Sequence, residues 1–157
     1  MARSPRVRKL DNADSAIVRA LQERGRDSYA EIGKAIGLSA TSVADRVRRL
    51  ESDGVIQGYH ASVDAAKLGY GLTAYVLARP IGTDARFAKL AQERCEILEC
   101  HRVTGDVSFI AKAVVADVKH LEEVLNHLEP ATSLIVTLLV LSTPFERSTT
   151  ADVEHVR

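Results

Sequence analysis

Residues 28–54 constrain this chain most, because they hold the signals for two short helices separated by a tight turn. Ser28 and Glu31 form a capping box, in which the serine hydroxyl and the glutamate carboxylate each bind a backbone N–H at the helix start. Gly37 ends that helix, since glycine readily takes the left-handed conformation that helix termini need. Ser39 then offers an N-cap for a second helix. The stretch therefore predicts a helix-turn-helix.

The second of these helices has an apolar stripe and a polar face. Val43, Val47 and Leu50 recur at intervals of four and three residues, so they predict the packed side. The opposite side has short hydrogen-bonding residues first and arginines later. A recognition helix needs that order, because its first side chains meet base edges while arginines hold phosphates. The residues predicted to contact DNA are Ser28, Ser39, Thr41, Ser42, Asp45, Arg46, Arg48 and Arg49.

Two alternatives to this interpretation stay open. A charged helix face is often only a solvated surface, and helix-turn-helix patterns are weakly specific. Arg46 lies near the apolar stripe, so it could brace the fold rather than touch DNA.

Charge is distributed unevenly along the chain. The 157 residues have no net charge, but residues 1–60 hold eleven Lys and Arg against eight Asp and Glu, while residues 61–157 hold ten against thirteen. This asymmetry indicates that the N-terminal part meets a polyanion. Aromatic residues make up only 4% of the chain, which argues against stacking on single strands or splayed RNA bases.

The two cysteines, Cys95 and Cys100, are too few for a disulfide scaffold and lack paired metal-ligand spacing. No segment approaches the length of a membrane span, and no apolar run follows the basic N-terminus as in a signal peptide. We therefore expect a cytoplasmic protein that needs no metal and no other cofactor.

The chain divides into four predicted regions. Residues 1–9 are a basic arm, which could follow a phosphate backbone or simply be disordered. Residues 10–63 are predicted to form a winged helix-turn-helix, with a first helix that starts after its N-cap Asp11 and runs to about Arg24, and a short strand pair after the second short helix. Residues 64–71 have the composition of a hinge. Residues 72–157 follow as a second domain.

The second domain shows the element order β-α-β-β-α-β. Its first strand ends at Pro80, the middle strands are separated by Thr104, Gly105 and Asp106, and the last strand spans residues 134–141. This order predicts a ferredoxin-like fold, and the whole chain belongs to the α+β class.

The last strand predicts a second subunit. It is apolar without alternation, so both of its faces should be buried. Two helices can cover only one face of a four-stranded sheet, and the same sheet of a second copy would cover the other. A two-fold dimer also suits a reader of two DNA half-sites.

Several ordered motifs resemble the Lrp/AsnC, or feast/famine, family of transcriptional regulators. They are L-D-x-x-D at residues 10–14, G-R-x-S at 25–28, G-L-S at 37–39, R-V-R-R-L-E-S-D-G-V-I-Q-G-Y at 46–59 and V-T-G-D at 103–106. The resemblance implies a winged helix-turn-helix, a regulatory domain that dimerises through its sheet, and frequent assembly into octamers. It also implies that an amino acid or related metabolite modulates DNA binding or assembly.

The resemblance places effector binding where dimers meet, near the turn between the second and third strands and in the last strand. Ser108 and Ile135 stand where the family often has a second acid and a first threonine, so the ligand could be more apolar, weakly bound or absent. Gly105 and Asp106 are also of types that are common in any turn, whether or not it binds a ligand. The implied positions are Thr104, Gly105, Asp106, Ser108, Ile135 and Thr137.

An enzyme is the main alternative, since some proteins that resemble this family decarboxylate sirohaem by means of histidine. None of the five histidines has zinc-type spacing, and no Ser/His/Asp order, carboxylate pair or phosphate loop indicates a reaction. A stand-alone effector-binding protein would leave the basic N-terminal part unexplained. We therefore expect a regulator without catalytic residues. The histidines are His60, His101, His120, His127 and His155.

Overall fold

A computed structural model describes residues 10–146, which fall into two compact units: residues 10–61 with 145–146, and residues 62–144. The predicted basic arm at residues 1–9 lies outside the described residues. The predicted domain boundaries, which divide the chain after residues 63 and 71, remain a prediction. Within the described ranges, no helix is long and apolar enough to cross a membrane.

The N-terminal unit contains three helices: α1 (Asn12–Glu23), α2 (Tyr29–Ile36) and α3 (Ala40–Ser52). Each begins after a residue that caps it with its side chain, as the sequence predicts. Oδ1 of Asp11 accepts from the N–H of Asp14 at 2.7 Å, and Ser28 and Glu31 form the reciprocal capping box. Gly37 ends α2 with a φ of 75°. The buried core consists of Ile17, Val18, Ile32, Val43, Val47 and Leu50.

The turn between α2 and α3 packs closely against α2 at Gly33. The N–H of Leu38 donates to the Gly33 carbonyl at 2.9 Å. A Cβ at Gly33 would lie 2.5 Å from the Leu38 carbonyl oxygen, which is well inside contact distance. Only glycine fits here, so this residue helps to set the angle between the two short helices.

The predicted strand pair after α3 does not form in this chain. Residues 55–64 contain no strand. The backbone N–H groups of Val55 and Ile56 donate back to the Leu50 carbonyl at 2.9 and 3.1 Å, so they finish the helix instead of starting a ladder. The Tyr59 hydroxyl donates to Oε1 of Glu51 at 2.9 Å. The segment therefore returns to α3, and the strand part of the wing prediction is wrong for the single chain.

The C-terminal unit has the predicted β-α-β-β-α-β order. Its elements are β1 (Leu72–Pro80), α4 (Asp84–Gln92), β2 (Ile97–Arg102), β3 (Phe109–Val115), α5 (Val118–Leu128) and β4 (Thr132–Leu139), with 3₁₀ turns at Ala65–Leu68 and Glu129–Ala131. The sheet order is β2-β3-β1-β4, and all neighbours are antiparallel. The α+β class and the ferredoxin-like fold are thus confirmed, while the last strand begins and ends two residues earlier than predicted.

Both long helices of this unit pack on one face of the sheet. The rings of Phe87 and Phe109 lie 4.9 Å apart at the centre of that core. On α5 the buried residues are Leu121, Val124 and Leu128. Val118, which the sequence places on the same face, is 65% exposed, because it is the first residue of the helix and lies beyond the edge of the core.

The other face of the sheet, which we call the open face, has apolar side chains on β4 that are partly exposed in the described chain. On β4, Leu134, Val136 and Leu138 are 38%, 40% and 52% exposed. Ile135 and Thr137 pair with Ala78 and Val76 of β1 and turn towards the core side. One chain therefore buries only one face of β4, and its coverage by a second copy remains a prediction.

Candidate DNA-binding surface and effector site

The polar face of α3 is exposed, as a recognition helix requires. Val43, Val47 and Leu50 are fully buried, whereas the opposite side, at Thr41 and Asp45, is exposed. The apolar stripe thus fixes which side chains point away from the domain. This arrangement presents the N-terminal half of α3 to a partner such as a DNA groove.

All three serines that are predicted to contact DNA take part in helix caps. Ser39 Oγ accepts from the N–H of Ser42 at 3.1 Å and lies 2.9 Å from Ser42 Oγ. The Ser28 hydroxyl donates to Oε2 of Glu31 at 2.7 Å. The hydroxyls of Ser39 and Ser42 keep free lone pairs, since a hydroxyl can accept two hydrogen bonds.

The two arginines on the outer face of α3 differ in their partners. Arg48 forms an exposed ion pair with Asp45 one turn earlier, at 2.5 Å. Arg49 is exposed, and within residues 10–146 its guanidinium has no ion-pair partner. An exposed guanidinium without a carboxylate is suited to a phosphate, which it binds with charge-assisted hydrogen bonds.

Arg46 points back into the domain. Its Nη1 lies 2.7 Å from Oδ2 of Asp11 and 2.7 Å from Oδ1 of Asp14, and the Asp14 residue is buried. The hydrogen bonds that Arg46 donates to these two carboxylates raise its pKa, with Asp11 first. The backbone N–H of Asp14 and then the Arg46 guanidinium lower the pKa of Asp11. The contacts favour the bracing alternative for Arg46, because both carboxylates belong to the start of α1.

The predicted effector turn is exposed and anchored at its base. Thr104, Gly105 and Asp106 are all exposed, and Gly105 has a φ of 117°, which favours glycine. The N–H of Val103 donates to the Ser108 carbonyl at 2.9 Å, and the N–H of Ser108 donates to the carbonyl of residue 78 on β1 at 3.0 Å. The turn is thus tied to the end of the central strand β1.

Arg79 also reaches this turn, although the sequence did not single it out. Its Nε and Nη2 donate to the backbone carbonyl oxygen of Asp106 at 2.9 and 2.5 Å. In the sequence, nothing about an arginine before a proline at the end of a strand indicates a contact with a distant turn. Only the sheet register, which brings the end of β1 beside the turn, gives it this contact.

A cavity of about 380 Å³ lies between α5 and the edge strand β4. It is lined by Leu125, Asn126, Glu129, Thr132, Ser133, Leu134, Ile135 and Thr137. The structure brings Ile135 and Thr137 together here, but the turn residues and Ser108 do not line this cavity. Within one chain the predicted effector residues therefore occupy two separate places.

The histidines in the described ranges do not build a metal site, since no group of three His, Cys, Asp or Glu residues there could hold an ion. His120 instead joins the start of α5 to the start of β2. Its Nδ1 accepts from the N–H of Ala116 at 3.2 Å, and its Nε2 lies 2.9 Å from Oε1 of Glu96. Arg94 Nη2 lies 2.7 Å from the same oxygen. These contacts give His120 a structural role, and His155 lies outside the described residues.

The fold and surfaces together define a class of protein: a helix-turn-helix unit joined to a small four-stranded α/β unit with a cavity. Two family models match it, an AsnC-type helix-turn-helix domain over residues 10–51 and an Lrp/AsnC ligand binding domain over residues 74–150. The chain belongs to the Lrp/AsnC family of transcriptional regulators.

Relatives and solved structures agree with this assignment. The chain is 36% identical over 132 residues to an uncharacterized HTH-type transcriptional regulator of Bacillus subtilis, YezC, covering 82% of this chain and 94% of that protein. It superimposes on LrpC of B. subtilis with a TM-score of 0.82 and 34% identity, covering 87% and 97% of the two chains. A Neisseria meningitidis transcriptional regulator in complex with L-Met gives a TM-score of 0.83 and 25% identity, covering 90% and 96%.

These names settle the choice between regulator and enzyme. The family models and the named relatives are transcriptional regulators, not enzymes, and none supports the sirohaem-decarboxylase alternative. The chain therefore contains a DNA-binding helix-turn-helix domain and a ligand-binding domain for a small molecule.

Proposed function

We propose that α3 reads a specific DNA sequence in the major groove. Ser39, Thr41 and Ser42 at its start face base edges, while Arg48 and Arg49 hold phosphates on one strand. The observation that carries this assignment is the exposed polar face of α3, whose buried stripe fixes its direction. Asp45 orients Arg48 through their ion pair. Arg46 positions α3 against α1, and Ser28 caps α2.

Selection of binding sites from a random DNA library tests the base-reading part. Thr41→Ala should relax the preference at one or two positions of each half-site, because a direct base contact contributes about 1–3 kcal/mol of discrimination. Thr83→Ala, at the start of α4 and far from α3 in sequence, is the matched control and should leave the selected motif unchanged. Identical motifs from the wild type and Thr41→Ala would remove Thr41 from the base contacts.

We further propose that an amino acid or related metabolite is the effector. The cavity beside β4 has mixed walls, with apolar leucines and polar Asn126, Glu129 and Thr137, which suit a small molecule with a charged end and an apolar side chain. The turn at Thr104–Asp106 belongs to the same proposed site if it comes from a neighbouring copy, as the family resemblance implies. The L-Met complex of the Neisseria relative supports this ligand class.

Isothermal calorimetry against the twenty amino acids tests this proposal. We expect at least one to bind at millimolar concentration or below and Thr137→Val to weaken it, because the substitution removes a hydroxyl from the cavity and keeps its volume. Thr73→Val on β1, outside the cavity lining, is the matched control. If no amino acid binds at millimolar concentration, the amino-acid effector is excluded for this protein.

Finally, we propose that the protein acts in the cytoplasm as a homodimer, formed through the open face, and that dimers assemble further into an octamer. The apolar side chains on the open face support the dimer, because a single chain leaves them in water. Sedimentation velocity over a concentration series tests the octamer: we expect a species of eight chains at micromolar concentration, and a dimer alone at every concentration would contradict it.

A further inference from the structure

The turn between β2 and β3 is held by a guanidinium that lacks a carboxylate partner in the described part of the chain. Arg79 is exposed, and both of its hydrogen bonds go to one neutral group, the backbone carbonyl of Asp106. No ion pair among residues 10–146 includes Arg79. A full positive charge therefore stands beside the turn without a counter-charge bound to it.

The turn itself adds hydrogen-bond donors next to that charge. Within residues 10–146, the backbone N–H groups of Thr104, Gly105 and Asp106 donate to no protein acceptor, and all three residues are exposed. Successive backbone amides without a protein acceptor, close to a guanidinium, supply hydrogen-bond donors that suit an anion. The geometry matches a carboxylate well, because a guanidinium can bind both carboxylate oxygens with two parallel N–H···O bonds.

We propose that Arg79 is a latch on this turn and that the carboxylate of an effector opens it. The carboxylate replaces the Asp106 carbonyl on the same edge of the guanidinium. A guanidinium binds a carboxylate more strongly than a neutral carbonyl, because the acceptor is also charged and its two oxygens accept two parallel N–H···O bonds, so the exchange favours the carboxylate. The released carbonyl is exposed and bonds to water at little cost.

Arg79 also connects the turn with the cavity beside β4. The Ser133 hydroxyl, in the cavity wall, donates to the backbone carbonyl of Arg79 at 3.2 Å. The pairing of β1 with β4 is irregular between Arg79 and Pro80. A change at the guanidinium therefore occurs at a strand end that also borders this chain's own cavity, which in the proposed assembly is completed by the turn of a neighbouring copy. The inference rests on the proposed effector function and adds to it a residue and a movement.

The first test uses the ligand-free protein and amide hydrogen exchange at residues 103–109. Arg79→Gln removes the charge and the two-donor edge, so exchange at the Ser108 amide should rise about fivefold or more, since the loss of even one ordinary hydrogen bond gives about that factor. Arg79→Lys keeps the charge without the fork and should exchange like Arg79→Gln. Arg86→Gln, an exposed arginine on α4 outside the ion pairs of the described residues, is the control and should match the wild type. A wild-type rate in Arg79→Gln would overturn the latch.

The second test uses acetate as the simplest carboxylate probe, compared with chloride at equal ionic strength. In the wild type, acetate should raise turn exchange towards the rate of Arg79→Gln, and it should leave Arg79→Gln unchanged. An equal acetate response in both proteins would overturn the inference, because the anion would then act elsewhere.

Calorimetry with amino acids separates this inference from the effector proposal. An amino acid that binds wild type and Arg79→Gln with equal affinity would overturn the role of Arg79 and leave the effector function intact. If no amino acid binds but the acetate response still depends on Arg79, the amino-acid effector fails and the latch stands. Both proposals would be supported if Arg79→Gln binds the amino acid more weakly than the wild type does, while the two proteins bind the carboxamide derivative of that amino acid with equal affinity.

Discussion

Among single residues, Arg46 and Arg49 lie in two different environments on one helix. Arg46 lies 2.7 Å from the buried carboxylate of Asp14, so Arg46→Ala should lower the free energy of unfolding by about 2 kcal/mol, because it leaves that carboxylate without its guanidinium. Arg49→Ala, at an exposed site, should change it by less than about 0.5 kcal/mol. Urea denaturation measures both, and equal small effects would contradict the bracing role.

Glu96 makes stability depend on pH in the acidic range. Burial acts to raise its pKa, but the hydrogen bond with His120 and the Arg94 guanidinium outweigh it and hold the pKa of Glu96 at about 2, below its ordinary value of 4.5. A lowered folded-state pKa stabilises the fold above pH 4.5, and this contribution is lost as the pH falls from 4.5 towards 2. Glu96→Gln should therefore be less stable than wild type at pH 7, with the difference shrinking at pH 4 and 3. A difference that does not change with pH in urea denaturation would refute this.

Between α2 and α3, the geometry depends on two glycines of different kinds. Gly33→Ala forces a Cβ to within 2.5 Å of the Leu38 carbonyl, whereas a Cβ at Gly37 meets nothing within 4 Å and is strained only by the φ of 75°. We expect losses of about 2–3 kcal/mol for Gly33→Ala and about 1 kcal/mol for Gly37→Ala. Thermal and urea denaturation give both values. If Gly33→Ala is no worse than Gly37→Ala, the close approach of the turn is not a constraint.

The helices could be predicted from sequence because their start signals are local. Asp11, Ser28, Ser39 and Asp117 each cap a helix with their own side chain, within three residues of where they stand. The sequence predicts strand β4 two residues too late, since Thr132 and Ser133 are residue types that are common in loops. Thr132 is nevertheless buried, because its hydroxyl donates to the carbonyl of residue 129 at 3.1 Å.

The parts that the sequence could not predict depend on contacts between distant segments. The strand pair of the wing needs a partner strand, and residues 55–64 find none in the described chain. Arg79 meets Asp106 across 27 positions of sequence, because the register of β1 with β3 places the strand end beside the turn. Neither residue type nor spacing carries that information.

For the whole molecule, the open face is the proposed dimer interface. In a dimer formed through the open face, Val136→Glu would bury an unpaired carboxylate between two sheets. Burial of such a charge costs several kcal/mol. We expect the variant to be a monomer by size-exclusion chromatography with light scattering. Val118→Glu on α5 makes the same chemical change at a 65% exposed site off the sheet and should remain a dimer. If Val136→Glu and Val118→Glu have the same mass in solution, the open face is not the dimer interface.

If the outer arginines of α3 hold DNA phosphates, as we propose, their removal must change the salt dependence of DNA binding. Fluorescence anisotropy with the DNA upstream of the protein's own gene would compare wild type with Arg48→Ala/Arg49→Ala and with the control Arg86→Ala/Lys89→Ala, which removes two exposed positive charges from α4. We predict that the control keeps the wild-type slope of log K against log salt, while the α3 variant loses about two from it per bound subunit. If the α3 variant keeps the wild-type slope and affinity, Arg48 and Arg49 do not bind DNA phosphates.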